Sequence, residues 1–303
     1  MENLRILIRL ARPVFLLGAA LVYALGVGIA RYLGTTIDWN TYILGQAWVT
    51  LVQLSTHFLN EYYDAQADAE NPNRTPFSGG SGMLGRGEGR LPRRTALLAG
   101  MTSLAFAASV TVVLIAEARL SPVAVLIMIL TFLGAFFYST PPISLESSGY
   151  GELTTSILVA FLVPAFGFVL QAGDLHRLVA MSTFSLVFLH LAMLISFELP
   201  DYGTDLKYDK RTLLVRMGWQ NGMTLHNILI VVAFLLIALA ASFGMPAFAA
   251  LPALLPLPLG LLQIWQMRRI ARGMRPNWTA VTLNGVALFA STAYLITFAF
   301  WTH

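Results

Sequence analysis

The sequence is dominated by apolar stretches that are about as long as a lipid bilayer is thick. A membrane-spanning helix needs about 20 consecutive apolar residues, and nine stretches approximately meet this requirement. They cover residues 14–34, 41–59, 96–116, 122–138, 153–171, 178–197, 223–243, 246–264 and 280–301. This pattern predicts an all-α, multi-pass membrane helix bundle with about nine transmembrane helices, built as a single domain over residues 1–303.

The composition excludes most other classes of protein. Hydrophobic residues make up 57% of the chain and charged residues only 11%, whereas soluble domains carry about 25% charged residues. A soluble enzyme and a DNA-binding domain are therefore excluded, despite the pI of about 9.5, and no nucleic-acid partner is expected. The chain contains no cysteine, which rules out disulfides, thiolate metal sites and cysteine nucleophiles.

The distribution of basic residues predicts the orientation of the bundle. If the N-terminus is cytoplasmic, all but three of the 19 basic residues fall on the cytoplasmic side. The three exceptions are Arg31, Arg119 and Arg177. Cytoplasmic loops are enriched in Lys and Arg, so we expect an integral protein of the cell inner membrane with the N-terminus in the cytoplasm and the C-terminus outside.

Two predicted cytoplasmic loops are long, residues 60–95 and residues 198–222. Each begins with carboxylates at the end of an apolar stretch and then becomes basic; the first loop carries, for example, Arg86. This weak internal repeat predicts a site where the two halves of the chain meet.

The acidic residues of each loop fall on one side of a helix if the preceding helix continues into the loop. In the first loop, Asn60, Asp64 and Asp68 stand at i, i+4 and i+8. In the second, the spacing i, i+3, i+7 and i+11 relates Glu198, Asp201, Asp205 and Asp209. Pro200 and Gly203 predict that this second stretch is kinked or loosely helical.

Rows of like charges repel each other, so each row suggests a bound cation. Mg²⁺ is the simplest candidate, because it binds one or two carboxylates together with water and substrate phosphate oxygens. Basic residues that could bind the remaining phosphate charge lie nearby in the sequence, namely Arg74, Lys207, Lys210 and Arg211. The alternative is that these acids only cap helices and face water.

Several other residues have both a functional and a structural interpretation. Tyr138 ends the fourth apolar stretch, where it is either an interfacial aromatic residue or part of a site. His57 and His190 precede the acidic rows by one or two turns and either pack between helices or face a cavity. The segment 79–82, Gly-Gly-Ser-Gly, is either an anion-binding nest or a flexible linker.

Together these residues resemble the UbiA superfamily of intramembrane prenyltransferases. That family has nine helices, an N-x-x-x-D-x-x-x-D motif after the second helix and a D-x-x-x-D motif after the sixth. The first is matched by Asn60, Asp64 and Asp68, and the second by Asp201 and Asp205. The segment 210–218, Lys-Arg-Thr-Leu-Leu-Val-Arg-Met-Gly, is similar to the family's continuation of the second motif.

Within the family, three segments are similar to the menaquinone branch, which prenylates 1,4-dihydroxy-2-naphthoate. They are residues 73–82, 138–142 and 149–152. The chain departs from the common pattern at Glu61, Glu198 and Asp209, and it lacks the Lys that some members carry shortly after the tyrosine.

The resemblance implies a Mg²⁺-dependent transfer of a polyprenyl group from an isoprenyl diphosphate to an aromatic acceptor, with 1,4-dihydroxy-2-naphthoate expected. It implies that Asp64, Asp68, Asp201 and Asp205 are catalytic, with Tyr138 beside the allylic cation. The implied metal ligands are these four aspartates, Asn60 and Glu198. The implied diphosphate-binding residues are Asn60, Arg74, Lys207, Lys210 and Arg211.

Other functions stay open from the sequence. The same fold could use a glycerol-phosphate lipid or a chlorophyllide-type macrocycle as acceptor, or it could cyclise the donor as a membrane terpene cyclase. A cation-coupled transporter also places acids near repeat interfaces, although here the acids cluster at one membrane face. The D-G-x-x-A-R core of the CDP-alcohol phosphotransferases does not occur in the sequence.

Overall fold

A computed structural model describes residues 2–85, 89–117 and 119–303, so Arg86 lies outside the described residues. The described chain forms eleven helices. They are α1 (Glu2–Leu10), α2 (Pro13–Tyr32), α3 (Trp39–Ala69), α4 (Arg93–Ala116), α5 (Pro122–Phe136), α6 (Gly151–Ala172), α7 (Arg177–Lys207), α8 (Leu213–Met217), α9 (Trp219–Ser242), α10 (Ala247–Ala271) and α11 (Trp278–Thr302). A short 3₁₀ turn, Leu145–Ser148, lies between α5 and α6.

The helical class predicted from the hydropathy pattern is confirmed. Each of the nine apolar stretches corresponds to one helix, and among the described residues seven of these helices are long and apolar enough to cross a membrane. The two remaining helices, α3 and α5, do not meet this criterion, for opposite reasons. Helix α5 has only 15 residues, and α3 has 31 residues but a polar C-terminal third. The exact number of nine membrane spans therefore stays a prediction.

Prolines shape two of the long helices. In α6, Pro164 has no N–H to donate to the carbonyl four residues earlier, and a π-helical turn, Leu158–Leu162, lies just before it. Helix α10 is interrupted between its segments Ala247–Ala253 and Leu257–Ala271, where Pro256 precedes the second segment. By contrast, α7 continues through Pro200 to Lys207.

Helix α2 packs against α6 and α11, while α3 packs against α4 and α7 against α9. The α2–α6 contact is close: a Cβ added at Gly26 would lie 1.8 Å from the carbonyl oxygen of Pro164. Large side chains such as Tyr23, Phe166 and Phe300 fill the centre of the bundle. Other large apolar side chains, including Leu98 and Leu261, remain exposed on its outer surface, as expected for a surface that faces lipid.

Helices α3 and α7 extend about ten residues beyond their apolar stretches. Both acidic rows lie on these extensions, which end at Ala69 and Lys207. The expected helical continuation is therefore present for Asn60, Asp64 and Asp68. Asp209 differs, because α7 ends before it and its side chain is exposed beside Arg211.

Candidate active site

A cavity of about 480 Å³ opens among α2, α3, α5, α6, α7 and α11. Its polar end is formed by the extensions of α3 and α7, the loop after α3 and the segment between α7 and α8. Its other end is apolar and includes Leu21, Val52, Leu158 and Val163. The cavity therefore suits an amphipathic molecule with a charged head and a hydrocarbon tail.

The two acidic rows face each other across the polar end. Asn60, Asp64, Asp68, Asp201 and Asp205 all line the cavity. Helical periodicity places the first three on one face of α3, and the C-terminal extension of α7 presents the other two. The expected meeting of two loops distant in sequence is thus present in the fold.

Hydrogen bonds join the loop after α3 to α7. The Asn71 side-chain amide donates to Asp201 Oδ1 at 2.7 Å, and the Gly79 backbone N–H donates to Asp201 Oδ2 at 3.0 Å. Asp201 is therefore fixed in orientation before any ligand binds. Because the carboxylate has further lone pairs, both oxygens can still accept from or coordinate another group.

Lys210 balances the charge at the centre of the acidic end. Its Nζ lies 2.6 Å from Asp64 Oδ2 and 3.6 Å from Glu146 Oε2. The Asn60 amide donates to the same two oxygens, at 2.7 Å and 2.6 Å. Burial disfavours the charged ammonium, but Asp64 and Glu146 outweigh burial and hold the pKa of Lys210 well above its usual value.

One lysine is not enough to neutralise this end of the cavity. Burial, followed by repulsion from Asp64, raises the pKa of Asp68 to about 7. The same two causes raise the pKa of Glu146 to about 8. Negative charge is thus in excess around Asp64, and a bound cation would relieve it.

The glycine-rich loop is held against α3 by Glu61, which also forms an ion pair with Arg12. Glu61 accepts from Arg12 Nε and Nη2 at 3.0 Å and 2.5 Å, and also from the Ser81 backbone N–H and hydroxyl, each at 2.7 Å. Gly80 has a φ of +71°, and a Cβ at this position would lie 2.1 Å from Asp68 Oδ2. The loop therefore packs directly on a predicted metal ligand, and Glu61 has a structural reason to be acidic.

Three of the predicted phosphate-binding residues do not line this cavity. Arg74 donates to the backbone carbonyls of Gly79 and Asp68, at 2.7 Å and 2.5 Å, and so stabilises the loop. Lys207 pairs with Glu70, and Arg211 with Asp209, each on the exposed surface. Of the predicted set, Asn60 and Lys210 reach the cavity.

Glu198 also lines the cavity, next to Glu152. Glu198 Oε2 accepts from the Leu214 N–H at 3.2 Å, and Glu152 Oε1 accepts from the Leu213 N–H at 2.9 Å. The two carboxyls thereby satisfy backbone donors at the start of α8. Glu152 Oε2 is buried without a hydrogen-bond partner among the described residues.

Aromatic side chains surround the cavity next to its polar end. Phe77 and Phe197 are stacked with ring centroids 5.9 Å apart and planes 10° apart. Phe15 meets both rings edge-on, at 6.2 Å and 6.0 Å, and Tyr138 lies on the cavity wall. The negative faces of such rings stabilise a nearby cation.

His57 and His190 each show both features considered from the sequence, namely a packing contact between helices and a position on the cavity wall. His57 Nδ1 lies 2.9 Å from the Ala11 carbonyl oxygen, and His190 Nδ1 lies 3.1 Å from the Ser156 hydroxyl. Both residues also line the cavity. They therefore tie neighbouring elements together while facing the space between them.

The polar end is chemically suited to Mg²⁺. No three described His, Asp or Glu side chains are grouped closely enough to form a metal site by themselves. Carboxylate oxygens of Asp64, Asp68, Asp201 and Asp205 nevertheless face one cavity. Hard oxygen donors of this kind, completed by phosphate oxygens and water, are what Mg²⁺ prefers.

Sequence reasoning missed Arg12, Asn71 and Glu146 as parts of this site. Arg12 precedes the first apolar stretch and belongs to neither acidic loop, and Glu146 lies in a segment without any acidic repeat. Glu146 is nevertheless an acid between two apolar stretches that becomes buried. Acids are scarce in this sequence, and a buried acid needs a partner. An isolated acid between two apolar stretches was therefore the signal that could have identified Glu146.

The chain is similar to known membrane proteins over most of its length. Residues 19–286 match the model of the UbiA prenyltransferase family. A 1,4-dihydroxy-2-naphthoate octaprenyltransferase from Mycobacterium tuberculosis is 28% identical over 228 residues, which cover 74% of this chain and 73% of that protein.

Solved structures share the fold at low identity. A UbiA homologue from Archaeoglobus fulgidus bound to GPP and Mg²⁺ superposes with a TM-score of 0.67 at 18% identity, covering 96% of this chain and 99% of that one. A digeranylgeranylglyceryl phosphate synthase superposes with a TM-score of 0.63 at 17% identity, covering 100% and 98% of the two chains.

Proposed function

The chain belongs to the UbiA prenyltransferase family, and from this premise we propose that it transfers a polyprenyl group from an isoprenyl diphosphate to 1,4-dihydroxy-2-naphthoate, with Mg²⁺ as cofactor. The observation that carries the proposal is the cavity itself. It joins an acidic end with too few cations to an apolar end lined by aromatic and aliphatic side chains. A polyprenyl diphosphate has the complementary shape and polarity.

In this proposal, Asp64, Asp68, Asp201 and Asp205 hold the metal, with Asn60 and Glu198 at the edges of the same site. When bound to these oxygens, Mg²⁺ would supply positive charge and Lewis-acid assistance to the departing diphosphate. Lys210 supplies a further positive charge beside Asp64. Arg12 also lines this end of the cavity, although its guanidinium is already paired with Glu61.

The chain's own residues also prepare the allylic carbon for attack. When the C–O bond breaks, its electron pair leaves with the diphosphate, and positive charge remains on the prenyl group. The rings of Phe15, Phe77 and Phe197, together with Tyr138, provide negative π faces around that charge. They also exclude water, which would otherwise capture the cation. A carbon of the electron-rich acceptor ring then forms the new C–C bond, and the ring regains aromaticity by releasing the group which that carbon carried, as a proton or as CO₂.

The acceptor is supported by sequence similarity. The relative from M. tuberculosis is named for 1,4-dihydroxy-2-naphthoate, and Phe77 belongs to the segment 73–82 that resembles the menaquinone branch. The fold alone does not select the acceptor, because a digeranylgeranylglyceryl phosphate synthase shares it. The acceptor therefore needs a direct experiment.

The test is turnover of a labelled polyprenyl diphosphate with 1,4-dihydroxy-2-naphthoate by the purified full chain. Asp64→Ala and Asp201→Ala are each expected to lower kcat by at least about 10²-fold, as when an essential charge-stabilising group is removed. EDTA should abolish turnover, and Mg²⁺ should restore it. Asp174→Ala is the matched control, because this exposed acid lies in the loop between α6 and α7, away from the cavity.

The outcomes separate the alternatives. Full activity in both cavity variants would contradict the site. Product with a glycerol-phosphate lipid or a chlorophyllide, but none with the naphthoate, would retain the enzyme class and change the acceptor. Cyclised donor without any acceptor would indicate a terpene cyclase. Cation flux in proteoliposomes without diphosphate release would indicate a transporter.

A further inference from the structure

A second cavity lies outside the acidic one, on the surface between α9 and α10. It is a groove of about 470 Å³. At the end nearest the start of α9 it is lined by Gln220, Thr224, Asn227 and Arg268, and further along α9 by Ile228 and Val231. The groove thus has a polar head and an apolar continuation, but it opens outward and not into the bundle.

Tryptophans place the head of this groove at the depth of lipid headgroups. Trp219 is adjacent to Gln220 and packs edge-on against Trp278 at 5.8 Å. Trp265 lies one turn before Arg268 and is 51% exposed, and the Arg269 guanidinium lies 4.5 Å from the centre of its ring. Tryptophan and arginine cluster in this way at the boundary between lipid and water.

The part of the sequence that forms both walls of the groove carries charge of one sign. No Asp or Glu follows Asp209 in the sequence, while the same stretch contains Lys210, Arg211, Arg216, Arg268, Arg269, Arg272 and Arg275. Among the described residues, Arg268 has no ion pair or side-chain hydrogen bond. The nearby amide of Asn227 is oriented by His226, whose Nδ1 lies 3.1 Å from Asn227 Oδ1. That contact leaves the Asn227 NH₂ group as a second donor at the head of the groove.

We propose that this groove is a binding site for an anionic phospholipid of the surrounding leaflet. Arg268 and the Asn227 amide bind the phosphate, and one acyl chain lies along Ile228 and Val231. Basic pockets between transmembrane helices at a membrane surface recognise acidic headgroups. A zwitterionic lipid fits less well, because its ammonium group meets arginines and no carboxylate in this part of the chain. The site is independent of the catalytic cavity.

The test is native mass spectrometry of the full chain in mild detergent, titrated with dioleoylphosphatidylglycerol or with dioleoylphosphatidylcholine. The wild type should retain phosphatidylglycerol in preference to phosphatidylcholine. Arg268→Gln should weaken phosphatidylglycerol binding by about fivefold, as expected for the loss of one direct hydrogen bond to the phosphate. Arg272→Gln removes the same charge from the same end of α10 but outside the groove, and it should change binding by less than about twofold.

A second variant tests the groove without altering charge. Val231→Phe fills the apolar part and should also weaken phosphatidylglycerol binding, while the catalytic cavity is untouched. Equal loss in Arg268→Gln and Arg272→Gln would show unspecific electrostatic attraction and overturn the proposal. Competition by millimolar inorganic phosphate alone would show a simple anion site, and a dimer lost in Val231→Phe would show that a second copy fills the groove. Either result also overturns it.

Discussion

At the residue scale, Lys210 connects two acids that are 82 positions apart, Asp64 and Glu146. It is only 17% exposed, so its charge is poorly screened by water. Removing one partner of such a buried cluster leaves an uncompensated charge, which costs more than the pair itself contributes. Lys207, three positions earlier, also pairs with an acid but is 64% exposed.

This contrast gives a stability prediction. Lys210→Met should lower the free energy of unfolding by about 3–5 kcal/mol, because it leaves the Asp64 carboxylate without its cation in the cavity. Lys207→Met should cost at most about 1 kcal/mol, since an exposed pair contributes little. Unfolding in mixed micelles with a denaturing detergent measures both. Similar losses of unfolding free energy in the two variants would mean that burial does not strengthen the contribution of Lys210 to stability.

A second prediction at the residue scale concerns the substitution of Gly80. Its φ is +71°, and a Cβ would collide with Asp68 Oδ2 at 2.1 Å. Gly80→Ala should therefore displace Asp68 and weaken Mg²⁺-dependent turnover by at least about tenfold, the loss expected from misplacing a catalytic group by about 1 Å. The measurement is kcat as a function of Mg²⁺ concentration.

Gly34→Ala is the control for backbone strain. Gly34 also has a positive φ, +91°, but no described atom lies within 4 Å of its added Cβ. Both substitutions carry a backbone cost, and only the one at Gly80 should change the Mg²⁺ dependence. If the two variants show the same dependence, the packing of the loop on Asp68 has no catalytic role.

At the element scale, the extensions of α3 and α7 create the acidic end. Their existence was predictable, because the polar residues keep helical spacing after the apolar stretches end. The continuation of α7 through Pro200 was not, since proline in a helix interior normally weakens or bends it. Packing of Leu199 and Leu214 in one buried cluster helps to retain the helix there. Local pattern thus predicts an element, and tertiary packing decides where it ends.

Close approach of α2 and α6 forms one wall of the cavity and gives an element-scale prediction. Gly26→Ala should destabilise the bundle by about 1–3 kcal/mol, because its Cβ would overlap the Pro164 carbonyl oxygen and push the helices apart. Gly18→Ala lies in the same helix with no described atom within 4 Å of the added Cβ. It should change stability by less than about 1 kcal/mol. Thermal unfolding of both variants in one detergent checks the difference; equal melting temperatures would contradict close packing.

At the scale of the whole molecule, the acidic cavity and the basic groove lie at the same end of the bundle. Most basic residues lie at that end as well, and we propose that it faces the cytoplasm, with the C-terminus outside.

The chain has no cysteine, so single-cysteine variants report orientation directly. Asp174→Cys, in the loop between α6 and α7, should react with a membrane-impermeant maleimide in intact cells. Met274→Cys, between α10 and α11, should react only after permeabilisation. The reverse pattern would invert the proposed topology.

The sequence by itself determined the helical class, the approximate course of the long helices and the two acidic rows. These properties depend on hydropathy and on spacing within single helices, which are local. Only the tertiary structure decided which polar side chains share the cavity. The packed helices give other partners to Arg74, Lys207 and Arg211, and they place Arg12, Asn71 and Glu146 at the site. A charged side chain binds whichever opposite charge or carbonyl the packed helices place within its reach, and that proximity between distant segments is not contained in any local pattern.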